Sequence, residues 1–236
     1  MSGNGQTALV YGRNPVRELL AAGRRKVYEV HALESLRGED WLGGDVPVRF
    51  VGKDELSRLA QTGDHQGVVA RVHAYPYVAE ADLLRSPGAV FCLDGAQDPR
   101  NIGAIARSIE AAGLSGIALP ARGSPGITPA VAKASAGAVE HLKIARVANP
   151  VAFVHDAAES GRLVVGADQD SGVDYRDLEW PADPVVVLGA EGAGLRPRIK
   201  RSLGAAVSIP MAGKIASLNV SVAAALLAFE IARRHP

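Results

Sequence analysis

Val185-Val186-Val187-Leu188-Gly189-Ala190-Glu191-Gly192-Ala193-Gly194-Leu195 decides the fold of this 236-residue chain. Its first four residues are apolar and three of them are β-branched, so the segment reads as a strand without a polar side. Such a strand belongs in a parallel sheet covered on both faces. The glycine run then turns the chain away at the carboxyl end of the strand, the edge where open α/β sheets bind ligands. A dinucleotide loop would read Gly-x-Gly-x-x-Gly with an acidic residue about 20 positions later. Here the order is Gly-x-x-Gly-x-Gly and the residue at that distance is apolar Ile209, which disfavours a nicotinamide site. A glycine turn of this kind still exposes backbone N–H and C=O groups and lets a flat ligand approach closely.

Outward from this segment, strand-like and helix-like stretches alternate. Strands are expected at 89–93, 116–119, 142–147, 162–167, 185–188 and 206–209, and helices at 102–112, 129–138, 150–160, 198–202 and 220–234. That alternation predicts an α/β domain over residues 89–236 built on a parallel sheet. A smaller α/β unit precedes it over residues 1–73. It opens with the short strand Ala8-Leu9-Val10-Tyr11, and Asn14 is positioned to cap a helix whose first turn holds Pro15. Residues 74–88 carry prolines and a glycine and read as a linker with one short helix at 80–84.

Bulk properties agree with a cytoplasmic globular protein. Apolar residues make up 47% and charged residues 22%, the N-terminus shows no basic segment followed by an apolar run, and no stretch is long enough to span a bilayer. The single cysteine, Cys92, sits in the apolar run Ala89-Val90-Phe91-Cys92-Leu93 and reads as a reduced core residue. Six scattered histidines without partner cysteines give no metal-ligand pattern, so no metal is expected. Ser124, Ser135 and Ser208 lack the Gly-x-Ser-x-Gly setting of a hydrolase nucleophile. A net charge of +1 argues against a polycationic coat, although Arg13, Arg17, Arg24, Arg25 and Lys26, and again Arg196, Arg198, Lys200 and Arg201, form local basic clusters.

Two further segments lie at expected strand ends. Asp98-Pro99-Arg100-Asn101-Ile102-Gly103-Ala104-Ile105-Ala106-Arg107 reads as a helix start that Asn101 could cap, with Arg107 spaced for an ion pair with Glu110. Ser217-Leu218-Asn219 precedes the apolar helix from Val220, where polar side chains would cap it and free N–H groups would face a ligand.

In their order and internal spacing, these two segments and the glycine run resemble the SpoU (TrmH-like) branch of the knotted RNA ribose methyltransferases. The resemblance covers nearly the whole chain, strongly from Asp94 to Arg233 and weakly before His65. It implies S-adenosylmethionine as cofactor, contacted largely through the backbone of Gly189, Ile209 and Leu218 with Met211 packed nearby. It places Asn101, Arg107, Glu191, Ser217 and Asn219 in the catalytic pocket. It further implies a trefoil knot through 189–221 and a homodimer whose active site lies at the subunit interface. Tyr11-Gly12-Arg13-Asn14-Pro15-Val16 and His65-Gln66-Gly67-Val68 are similar to the small RNA substrate-binding domain that precedes many of these enzymes.

The expected reaction is methyl transfer to a ribose 2′-hydroxyl, an in-line displacement that needs alignment and help in removing a proton. Arg107 would serve as general base if strongly perturbed, or as a clamp on the target phosphate. A guanosine of large-subunit rRNA is the target the resemblance points to. A tRNA target is the alternative, because the stretch from Ala32 to Pro47 is shorter than is usual in the rRNA enzymes. A non-catalytic RNA-binding assembly factor on the same fold is the competing class, and no membrane partner is expected.

Overall fold

The computed structural model describes residues 7–190, 194–215 and 217–235. Its first unit runs β1 (Thr7–Tyr11), α1 (Arg13–Ala22), β2 (Val27–Ala32), β3 (Val48–Phe50), α2 (Lys53–Ala60) and β4 (Val68–His73), with short 3-10 turns at Glu34–Leu36 and Asp40–Leu42. The strands form one sheet in the order β1-β4-β2-β3, with β4 antiparallel to both neighbours and β3 parallel to β2. Asn14 does not cap α1. Gly12 takes that place at φ 101°, a conformation glycine adopts without strain, and the exposed Arg13 N–H donates to the Gln66 side-chain oxygen at 3.1 Å. A side chain 53 residues away therefore does the work of a local cap.

The second unit follows as α3 (Glu80–Leu84), β5 (Val90–Leu93), α4 (Pro99–Ala111), β6 (Gly116–Pro120), α5 (Pro129–Ala134), β7 (Lys143–Val147), α6 (Pro150–Glu159), β8 (Val164–Ala167), β9 (Val185–Leu188), α7 (Pro197–Lys200), β10 (Ala205–Val207) and α8 (Val220–Arg234). Its six strands are all parallel, in the order β10-β8-β9-β5-β6-β7. Every residue of β9 is buried, as its continuous apolar character requires. Alternate residues feed two layers. Phe91, Val186 and Leu188 face a core shared with Ile105 of α4, Val131 of α5 and Leu227 of α8, while Val90, Val185 and Val187 face Leu83 of α3, Phe153 of α6 and Ile199 of α7. Cys92 lies in the second layer, where burial pushes its thiol up to about 12. No helix among the described residues is long and apolar enough to cross a membrane.

The helix expected at 129–138 stops at Ala134. Ala136 and Gly137 take φ values of 54° and 93°, which end an α-helix, and a separate 3-10 turn, Ala138–Glu140, follows. That turn meets the N-terminal unit. Arg25 and Glu140 form a two-pronged ion pair, with Nε to Oε2 at 3.0 Å, whose side chains are 2% and 1% exposed. The Tyr75 ring lies under the Arg25 guanidinium at 5.4 Å, and its hydroxyl is 2.7 Å from the Val139 carbonyl. Arg24 donates to the carbonyls of Glu140 and Leu142 at 3.1 and 2.7 Å. Residues 74–88 lie along the second sheet, where Val78 bridges Ala145 and donates to the Ile144 carbonyl at 2.9 Å.

Candidate active site

The carboxyl ends of β8, β9 and β10 and the start of α8 enclose a pocket of about 580 Å³. Gly189, Ile209, Met211, Ser217, Leu218 and Asn219 all line it, although they lie on three separate segments of the chain. Leu188, Val207, Val220 and Leu227 add apolar wall. At Gly189 the turn closes on itself. A Cβ there would overlap the Gly194 backbone carbonyl and lie 2.6 Å from the Leu195 nitrogen, so only glycine permits this path. An apolar slot of this volume, edged by backbone at strand ends, suits a flat nucleoside-sized ligand.

Asn219 caps α8. Its Oδ1 accepts from the Ser221 N–H at 2.8 Å and from the Ser221 hydroxyl at 2.6 Å. Its amide nitrogen donates to Asn101 Oδ1 at 3.1 Å, which ties the start of α4 to the start of α8. Asn101 is therefore not the cap of α4. Asp98 is, with its carboxylate accepting from the Arg100 N–H at 2.8 Å, and the helix begins at Pro99 rather than at Ile102. The Asn101 side chain reaches instead to Asn219, which lines the pocket, and does not line it itself.

Arg107 stands on the exposed face of α4 and does not line the pocket. It lies six positions on from Asn101 along the helix, about 9 Å further along the axis and about 120° around it. Among the described residues it makes no ion pair, so the pairing with Glu110 that its spacing allows does not form. Glu191 lies outside the described residues.

Residues outside the three motifs also line the pocket. Asp168, Gln169 and Asp170, immediately after β8, line the pocket together with Lys200 of α7. The Lys200 ammonium lies 2.5 Å from Asp168 Oδ2 and holds that carboxyl below the usual carboxylate range, against the opposing effect of burial. Asp94, buried at the end of β5, accepts from Arg196 Nε at 2.7 Å, which fastens the chain after the glycine turn to the neighbouring strand. Asp94 contacts raise the Arg196 guanidinium's proton affinity.

Comparison with known proteins agrees with this geometry. Residues 88–229 match the SpoU rRNA Methylase family, and residues 9–78 match the family described as RNA 2′-O ribose methyltransferase substrate binding. A Bacillus subtilis protein named for the TrmH family of tRNA/rRNA methyltransferases is 36% identical over 239 residues, spanning 96% of this chain and 95% of its own. Among solved structures, an AdoMet-bound rRNA methyltransferase from Sinorhizobium meliloti superposes with a TM-score of 0.81 at 28% identity, covering 98% of this chain and 88% of that one. The A. aeolicus TrmH/SpoU tRNA modifying enzyme reaches a TM-score of 0.57 at 25% identity, covering 66% of this chain and 79% of its own.

Proposed function

Because the chain belongs to the SpoU rRNA methylase family, we propose that it methylates the ribose 2′-hydroxyl of a guanosine in large-subunit (23S) rRNA. It is an S-adenosylmethionine-dependent RNA methyltransferase, and its pocket fits that cofactor in volume, in apolar lining and in the backbone exposed at Gly189. One observation carries the choice of rRNA. The S. meliloti rRNA enzyme matches both units of this chain, 98% of it, whereas the A. aeolicus tRNA enzyme matches 66%. The presence of the N-terminal substrate-binding unit thus aligns this chain with the former.

The cofactor supplies an electrophilic methyl group on a sulfonium. The chain has to hold the ribose oxygen in line with it and stabilise the oxygen as its proton leaves. Asn219, which lines the pocket and is bonded to Asn101, would orient the nucleotide together with Ser217, and the family resemblance assigns Glu191 to the same work. Arg107 is exposed, and a guanidinium is a planar fork of five N–H donors that offers no acceptor. That favours a clamp on the target phosphate and the developing alkoxide over a general base.

A single chain leaves Arg107 away from its own pocket, which a homodimer with the active site at its interface would remedy. Val222, Leu226 and Phe229 support that assembly. They form one apolar stripe along α8, exposed by 46%, 37% and 52%, and a second copy is the occupant they fit. The family's trefoil knot belongs to the same proposal.

Incubation with methyl-tritiated S-adenosylmethionine and unmodified 23S rRNA, or tRNA, followed by nucleoside analysis tests the reading. Label in 2′-O-methylguanosine from rRNA is the expected result. Label confined to tRNA would overturn the target, and cofactor binding without transfer to either RNA would favour the non-catalytic role.

A further inference from the structure

The cofactor pocket has a charged wall that backbone contacts at Gly189, Ile209 and Leu218 leave unused. Asp168 is the first residue beyond β8, and its N–H donates to the Val207 carbonyl of β10 at 2.9 Å, which fixes its backbone at the pocket's edge. Its carboxylate is 16% exposed. Oδ2 meets Lys200, and Oδ1 accepts from the Asp170 N–H at 3.3 Å. An ionised carboxylate offers about four acceptor positions, so these contacts leave it with acceptor capacity to spare.

The placement has a chemical meaning. β8 and β9 are adjacent parallel strands, one ending in an acidic residue and the other in a glycine turn. On doubly wound sheets a glycine turn lets the backbone approach an adenosine nucleotide, while an acidic residue of the same sheet accepts from its ribose hydroxyls. Here the glycine pattern is not the dinucleotide one, but the acid and the turn still share a single pocket.

We propose that the Asp168 carboxylate binds the ribose 2′,3′-diol of the adenosyl cofactor, and that Lys200 is the positioning residue that orients it. The inference rests on S-adenosylmethionine as the pocket's ligand. Lys200 keeps Asp168 ionised, hence acceptor-only, which suits two hydroxyl donors and rejects a phosphate on either ribose oxygen. Lys200 is itself a pocket-lining residue, and its own partner is Asp168, so its charge is neutralised where the neutral diol would sit.

The test is isothermal titration of the full-length protein with S-adenosylhomocysteine and with its 2′-deoxy and 3′-deoxy analogues. The wild-type protein should lose about ten- to hundredfold in affinity when a hydroxyl bonded to the carboxylate is removed. Asp168→Ala should bind S-adenosylhomocysteine weakly and treat the three ligands alike. Lys200→Met should lose most of the discrimination, and Lys200→Arg should restore it. The proposal is overturned if Asp168→Ala discriminates as the wild type does, or if the wild type is indifferent to the diol. Weaker binding of all three ligands by the same factor, with discrimination intact, would assign the carboxylate to the cationic amino end instead. Asp168→Asn, which keeps the side chain's shape, serves if the alanine variant does not fold. No binding of S-adenosylhomocysteine by the wild type would be a failure of the cofactor assignment itself, a distinct outcome.

Discussion

Replacing Arg25 by Met should unfold the joint between the two units more severely than its distance from the pocket suggests. The side chains of Arg25 and Glu140 are 2% and 1% exposed, so the substitution strands a carboxylate in the interior. Breaking a buried pair in this way costs about 3–5 kcal/mol. Loss of the guanidinium stacked on Tyr75 adds roughly 1 kcal/mol. At about 2–4 °C per kcal/mol for a chain of this size, Tm should fall by roughly 8–24 °C. Glu140→Leu should do comparable harm by stranding the guanidinium. The double variant Arg25→Met/Glu140→Leu buries two apolar side chains of similar volume and should recover to within about 2 kcal/mol of the wild type. Thermal and urea unfolding followed by circular dichroism would measure the cycle. Trp41 in the first unit and Trp180 in the second allow each unit to be followed by fluorescence in backgrounds where the other is Phe. A cost under about 1 kcal/mol for both single variants, or a double variant no better than the worse single one, would refute the reasoning.

Gly189→Ala places a methyl group against the Gly194 carbonyl, so affinity for S-adenosylhomocysteine should fall at least tenfold, with a stability loss of about 1–3 kcal/mol; unchanged affinity by titration would show that the turn has room. Arg107→Ala should lower kcat on RNA by about a hundredfold or more while leaving S-adenosylhomocysteine binding within a few fold, and substantial turnover would remove Arg107 from the chemistry. Phe229→Asp puts a charge on the most exposed residue of the α8 stripe and should yield monomers by sedimentation equilibrium. A dimer of undiminished affinity would place the contact elsewhere.

What could be read from the sequence acts over one or two turns of chain. The final helix runs from Val220 to Arg234 as its apolar pattern predicts, and Asn219 caps it as its position predicts. The strand 185–188 is buried throughout because its side chains leave no polar face. Motif order also brought Gly189, Ile209, Met211, Ser217, Leu218 and Asn219 to one pocket, since strand ends and the turns after them share one edge of a parallel sheet.

Partner choice was a different matter. Asn101 looks like a cap when only its neighbours are considered, but Asp98 is nearer the helix start and takes that role, and Asn101 instead meets Asn219, 118 residues away. Asn14 loses its expected role to Gly12 and Gln66. The helix after Pro129 ends early, at the left-handed Ala136 and Gly137, and Gly137 packs against Pro15 and Glu18 of the other unit, where a side chain would clash. Arg25 reads as one of several exposed basic residues until Glu140, 115 residues on, is brought beside it and both are sealed from water. Periodicity and capping are energies between near neighbours, so the sequence by itself determined the elements and the edge where chemistry collects. Which side chains desolvate one another depends on how those elements cross, and only the tertiary structure decided that Arg25 is a buried ion, that Asp168 faces the pocket at the strand ends, and that Arg107 does not.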